Sequence, residues 1–343
     1  MVDIKLLTKL MNARGVSGEE SHVREIILKE IKCYVSDCKV DNAGNLIAHI
    51  KGKSPRVMLA AHMDEIGLMV SNIESDGKIR FSTVGGIESI SLIGERVHIS
   101  TKSNYIQGII TTNEISDGNP EMKVPKADNM YVDTGLTKDA LKKLGVKIGS
   151  YLTLMQENIV LGDKNIVCGK ALDDRVGCYI LIDLIKRCSK KTKCELYFVF
   201  TVQEEIGIYG AKTSAYSIAP AWALAVDTTA ADDSDKDNAT RKIGGGPCIT
   251  IKDAELLGNR CLNNWIEKIA KKIKVPVQYD VSDIGTTDAL TISLSRGGVP
   301  SSVLSIPVRN VHSTYGIADT RDIDSAVKIL AALLKNPPKV CAS

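Results

Sequence analysis

Residues 57–64 read VMLAAHMD, an apolar run that stops at a histidine and an aspartate. A short apolar run of about four to eight residues with polar boundaries fits a buried strand better than a helix. The construction recurs downstream. LYFVFTVQEE at 196–205 ends in Glu204 and Glu205, and AWALAVD at 221–227 ends in Asp227. SSVLSIP at 301–307 leads through Val308, Arg309 and Asn310 to His312.

Helical patterns lie between these runs. Ile4, Leu6, Leu7, Leu10 and Met11 recur at helical spacing. A second helix is expected to begin near Ser17, where Ser17 and Glu20 have capping-box spacing, and to run through VREIILKEIK. DRVGCYILIDLIKRC, GAKTSAYSI, RCLNNWIEKIAKKI and DSAVKILAALLK supply the later helices. Strands alternating with helices predict an α/β fold, with a mixed, mostly parallel sheet covered on both faces. Between about residues 69 and 162 the texture changes to short alternating runs such as KIRFSTVGG, ERVHIST, YIQGIITT, MYVDTG and SYLTL, broken by Gly, Asn and Asp. This predicts a small β-rich domain (69–162) inserted into an α/β domain built from 1–68 and 163–343. The cluster Asp232, Asp233, Asp235 and Asp237 reads as a solvated acidic loop.

Composition narrows the function classes. With 343 residues the chain has ample length for a large core and a second, smaller domain. A net charge of +3, only 4% aromatic residues and no basic run with interleaved aromatics argue against nucleic-acid binding. The N-terminal MVDIKLLTKLMNARG is not a secretory signal, and no stretch approaches the ~20 apolar residues of a membrane span. Nine cysteines without a single CxxC pair read as reduced thiols of a cytoplasmic protein, not as a structural zinc site.

In an open α/β sheet, ligands bind beyond the carboxyl ends of the strands. The strand-end residues His62, Asp64, Glu204, Glu205, Asp227 and His312, with Asp173 and Asp174 opening a helix, therefore converge on one edge. So many carboxylates repel one another, and a divalent cation relieves them. Imidazole and carboxylate without thiolate suit zinc, cobalt or manganese, in numbers that exceed one tetrahedral ion and fit two sharing a bridging carboxylate. His62 and Asp64 face the same way on a strand, so Asp64 is placed to orient the imidazole. Adjacent Glu204 and Glu205 can divide the work, one on metal and one on water. Taken singly, each signal has an ordinary reading: a polar strand end for His62, surface charge for Glu204-Glu205, a helix cap for Asp173-Asp174, a loop cap for Asp227 and a core histidine for His312. His22, His49 and His98 have no comparable context.

The stretches AAHMDEIG (60–67), GKALDDRVGC (169–178), TVQEEIGIYGA (201–211), AVDTT (225–229) and PVRNVHS (307–313), in this order, resemble the tetrahedral (TET) co-catalytic metallo-aminopeptidases. These are relatives of glutamyl, leucyl and deblocking aminopeptidases, some once labelled cellulases or endoglucanases. The resemblance implies an aminopeptidase acting on oligopeptides with two divalent ions per subunit, zinc or cobalt, with manganese also admitted. It implies Asp173 as bridging ligand, His62 and Asp227 on one ion, Glu205 and His312 on the other, Glu204 as general base and Asp64 as the residue orienting His62. It also implies that the insert mediates dimer contacts and that dimers assemble into a hollow dodecamer. The same ligands would serve a deacylase or amidohydrolase on small amides. A catalytically silent scaffold retaining the fold is the remaining alternative, against which the complete ligand set argues.

Overall fold

The computed structural model describes the chain except residues 36, 113–124, 163, 189–191, 235–237 and 339–343. Two helices, α1 (Ile4–Asn12) and α2 (Ser21–Ile31), precede three strands, β1 (Asp37–Val40), β2 (Leu46–Ile50) and β3 (Lys53–His62). There follow β4 (Gly67–Ile73), β5 (Ile79–Val84), β6 (Arg96–Ser100), β7 (Tyr105–Thr112), β8 (Met130–Asp133), α3 (Lys138–Leu144) and β9 (Tyr151–Leu154). Then come β10 (Ile159–Leu161), β11 (Ile166–Gly169), α4 (Leu172–Cys188), β12 (Cys194–Thr201), α5 (Tyr209–Ile218) and β13 (Trp222–Ala230). The chain continues with β14 (Cys248–Lys252), α6 (Arg260–Ile273), β15 (Gln278–Val281), α7 (Asp288–Ser293), β16 (Ser301–Arg309), β17 (Gly316–Asp319) and α8 (Thr320–Lys335).

The large sheet runs β1-β2-β12-β3-β13-β16-β17-β11-β10, with β14 and β15 branching from β16. Its centre, β12-β3-β13-β16, is parallel, and its flanks are antiparallel. The central strands are apolar at nearly every position because both faces are covered. On β3, Val57, Leu59 and Ala61 join the main core with α1, α2, α4, α6 and α8, while Met58 and Ala60 face the smaller core under α5 and α7. β12 and β13 divide the same way: Phe198 and Leu224 enter the main core, Val199 and Ala223 the other. The mixed sheet flanked by helices expected above is thus the observed fold.

Strands β4 to β9 close into an antiparallel barrel in the order β4-β5-β8-β7-β6-β9. It has its own core, including Leu68, Phe81, Ile99, Val132 and Leu152, separate from that of the sheet.

Local corrections follow from side-chain partners. The second helix starts at Ser21 without a side-chain cap. The Ser17 hydroxyl is instead drawn away to Asp64, and Glu20 accepts the backbone N–H groups of Gly18 and Gln203. The acidic cluster is not simply solvated: Asp232 pairs with Arg241 and Asp233 with Arg309, while Asp235 and Asp237 lie outside the described residues. Seven cysteines are free thiols, as expected, but Cys261, at the start of α6, is disulfide-bonded.

Candidate active site

Parallel pairing of β3 with β12 sets His62 opposite Thr201, so the turn after β12 carries Glu204 and Glu205 to the same edge. On the other side of β3, Ala60 pairs with Ala225, which brings Asp227 level with His62. Asp227 lies inside β13, which runs on to Ala230 rather than ending there. Asp173 and Asp174 stand where α4 begins, joined by a cis peptide bond. His312 sits in the turn between β16 and β17.

Every expected site residue therefore lies in one cleft. The His62 imidazole is buried, with Nε2 3.2 Å from Asp173 Oδ1 and 3.8 Å from Asp227 Oδ1. His312 Nε2 lies 3.5 Å from the other Asp173 oxygen, Oδ2, and 3.7 Å from Glu205 Oε2. Asp173 thus presents one oxygen to each histidine. Donor atoms of His62, Asp173 and Glu205 cluster within 4.8 Å of one another, as do those of His62, Asp174 and Asp227. Asp174 differs from Asp173 in what it does. Its two oxygens accept the backbone N–H groups of His62 and Gly177, at 3.3 and 3.0 Å, which ties it to the scaffold.

Asp64 is fully buried and accepts three hydrogen bonds, from the Ser17 hydroxyl at 2.6 Å and from the N–H groups of Glu204 and Glu205, each at 3.1 Å. His62 Nδ1 lies 3.1 Å from the Asp64 carbonyl oxygen and 3.5 Å from its carboxylate. Behind the cleft, Glu65 accepts Lys170 Nζ at 2.6 and 2.7 Å and Arg175 Nη2 at 3.4 Å, all three groups buried. The cations nearest the site are thereby committed to Glu65.

The electrostatics follow from this crowding. Burial, then the charge of Asp173, pushes Glu205 up to about 8, and burial pushes Asp227 up to about 7. Burial also lifts Glu204 well above the carboxylate range. A hydrogen bond to Asp173 raises His312 to about 9. Burial opposes charge on His62, but Asp173 and Asp64 outweigh it and raise its pKa. These groups face a deficit of positive charge in a low-dielectric cleft. Oxygen and imidazole donors without thiolate, and without a free arginine or lysine among the described residues of the cleft, fit divalent cations.

Backbone geometry marks the same place. Ala171, Gln203, Asn310 and His312 all have φ between 52° and 60°. Non-glycine residues adopt this region at a cost, and such residues concentrate at functional sites. Sequence reading missed Ser17, Glu65, Lys170 and Arg175 as supports of the site. The only signal for the last three was opposite charge inside otherwise apolar or motif-bearing stretches.

Comparison with known proteins agrees with this geometry. The M42 glutamyl aminopeptidase family matches residues 44–329. The lysyl aminopeptidase of Pyrococcus furiosus is 33% identical, over 98% of this chain and 97% of its own. An aminopeptidase structure from the archaeon Desulfurococcus kamchatkensis superposes with a TM-score of 0.92 at 35% identity, covering 97% of this chain and 94% of that one. The TET1 peptidase of Pyrococcus horikoshii, described as assembling into a tetrahedron or a large octahedral shell, gives 0.88 at 32% identity, covering 97% and 99%. Fold and site together define a hydrolase of peptide bonds. The chain belongs to the M42 glutamyl aminopeptidase family.

Proposed function

We propose that this chain is an aminopeptidase that removes N-terminal residues from oligopeptides at a centre of two divalent ions, zinc or cobalt, with manganese also admitted by the ligands. The observation that carries the reading is Asp173, whose two oxygens lie 3.2 and 3.5 Å from the Nε2 atoms of His62 and His312. A carboxylate so placed suits a bridge, with His62 and Asp227 completing one ion's ligands and Glu205 and His312 the other's. Bound there, two such ions would supply Lewis acidity towards the scissile carbonyl and a more acidic water.

The protein's own groups do the rest. Glu204 is the general base: it takes the proton of the attacking water and returns it to the leaving amine. Asp64 holds the Glu204 and Glu205 amides, so that both side chains project from a fixed turn. The carboxylate-rich cleft favours a substrate's free α-ammonium, which supports exopeptidase action.

We read residues 1–68 and 163–343 as the catalytic domain, and the insert at 69–162 as the dimer-forming domain of a cytoplasmic, tetrahedral dodecamer. Support comes from the barrel's separate core, the assembly described for the Pyrococcus horikoshii relative and the seven free thiols. Among the described residues no helix is long and apolar enough to cross a membrane.

The test is an assay on leucine-, glutamate- and lysine-terminated peptides, free and N-acetylated, after chelation and again after adding zinc or cobalt. Metal-restored release of free N-terminal residues, absent from the acetylated peptides, is the expected result. No cleavage of any free peptide with metal present would remove the reading and turn attention to a deacylase acting on small amides.

A further inference from the structure

The barrel touches the active site along one connection, residues 85–95 between β5 and β6. A Cβ on Gly85 would stand 3.2 Å from the Cβ of Glu205, and one on Gly86 would stand 3.2 Å from His312 Nδ1. The backbone of Gly86 therefore packs directly on the face of the imidazole opposite Asp173. Two residues on, the Glu88 N–H donates to the His312 carbonyl at 3.4 Å. At the end of the connection, Glu95 accepts the hydroxyl of Thr314 at 3.2 Å with one oxygen and the amide of Gln156 at 2.5 Å with the other. Thr314 is 1% exposed and stands two residues beyond His312.

These contacts matter because of what they hold. Asn310 and His312 both sit at positive φ, 59° and 60°, so the turn that aims the imidazole is not one its residues adopt freely. Metal-ligating histidines ordinarily have their second ring nitrogen fixed by a hydrogen-bond acceptor. Among the described residues no side-chain acceptor reaches His312 Nδ1, and the glycine backbone stands in that position instead. His62 and Asp227, by contrast, are carried wholly by the central sheet strands β3 and β13.

We propose that the 85–95 connection is a positioning element for His312 and Glu205, so that the seating of the barrel governs one half of the metal centre and leaves the His62–Asp227 half to the sheet. Gly86 acts by steric contact and Glu95 through Thr314; none of the three need touch substrate. The inference rests on the reading of His312 as a metal ligand. Coupled to a barrel that forms the dimer contact, it makes metal retention in that half answer to assembly.

The test uses the full chain loaded with zinc and dialysed against graded chelator, with bound zinc counted per chain at each step. Thr314→Val, Glu95→Gln, Glu95→Ala and Gly86→Ala are compared with wild type, with His312→Ala and with Ser82→Ala on the exposed barrel surface. We expect the four contact variants to release one ion at about tenfold lower chelator than wild type and to keep the second. Glu95→Gln should be milder than Glu95→Ala, and Ser82→Ala should match wild type. If His312→Ala sheds one ion early while the contact variants hold both as wild type does, the positioning role is overturned. If His312→Ala itself holds both ions as tightly as wild type, the ligand assignment fails instead. Should Gly86→Ala unfold the chain, the folded Thr314→Val variant decides alone: one ion released early supports the role, and two retained overturn it.

Discussion

The carboxylate of Asp64 holds the backbone of Glu204: Oδ1 accepts the Glu204 N–H at 3.1 Å, while Oδ2 accepts that of Glu205 at the same distance and the Ser17 hydroxyl at 2.6 Å. Sequence spacing assigned Asp64 to His62, and the carboxylate is indeed 3.5 Å from Nδ1. Its hydrogen bonds, however, fix the turn on which base and ligand stand. Asp64→Asn replaces one accepting oxygen by an NH2 that faces an N–H donor. We expect turnover to fall about 10- to 100-fold, the range for losing such a support. Ser17→Ala, which removes one of three donors, should cost only a fewfold. Steady-state kinetics on both variants checks the order; equal losses would refute it.

Glu204→Gln keeps the size and the backbone bond to Asp64 while removing the proton acceptor. We expect a loss in turnover of about 100- to 10,000-fold, the usual worth of general acid–base catalysis, with metal content unchanged. Metal analysis alongside kinetics separates the roles of the adjacent pair. Glu205→Gln should instead lower metal content. Near-normal turnover in Glu204→Gln would sink the assignment of the base.

Much of this site was legible beforehand because parallel strands put their carboxyl ends on one edge, so that His62, Glu204 and Asp227 had to be neighbours once the strands were recognised. The long helices were legible for a similar reason: Leu262, Ile266 and Ala270 repeat at the helical period and are the buried face of α6. What escaped depends on non-local partners. The spacing of Ser17 and Glu20 is that of a capping box, yet the hydroxyl finds a carboxylate 47 residues away, and no local rule registers that competition. Closure of the β4–β9 strands into a barrel, and the contact of Gly86 with His312, likewise depend on chain crossings that no local pattern encodes.

Glu65 is the hub of a second such set. It neutralises Lys170 and Arg175 inside the protein, and Arg175 in turn donates to the carbonyls of Met63, Leu10 and Ala13, binding α1 to the strand end that carries His62. Removing one partner of a buried ion pair leaves an uncompensated charge and costs about 3–5 kcal/mol. Glu65→Gln should lose stability of that order, and Glu65→Ala at least as much. Urea denaturation of the metal-loaded chain checks this. A change below about 1 kcal/mol, the worth of an exposed pair, would show that the network is not sealed from water.

Metal removal should change how stability depends on pH. In the metal-free chain, burial raises Glu205 from 4.5 to about 8 and Asp227 from 3.8 to about 7, and the hydrogen bond to Asp173 raises His312 from 6.5 to about 9. Each folded-state value lies above its unfolded one, so between them the folded chain binds more protons than the unfolded chain. Stability must then fall as pH rises through that window, from about pH 4 to about pH 9. Deprotonated carboxylates and neutral imidazoles are also the forms that bind metal, so the increment from added zinc should grow over the same range. Thermal unfolding at pH 5.5, 7 and 8.5, with chelator and with zinc, tests both slopes. The expected pattern is a melting temperature that declines steadily without metal and stays nearly level with it. A metal-free melting temperature that rises with pH would mean that these carboxylates are not held in a charge-deficient cleft, and the case for cations at that site would lose its electrostatic basis.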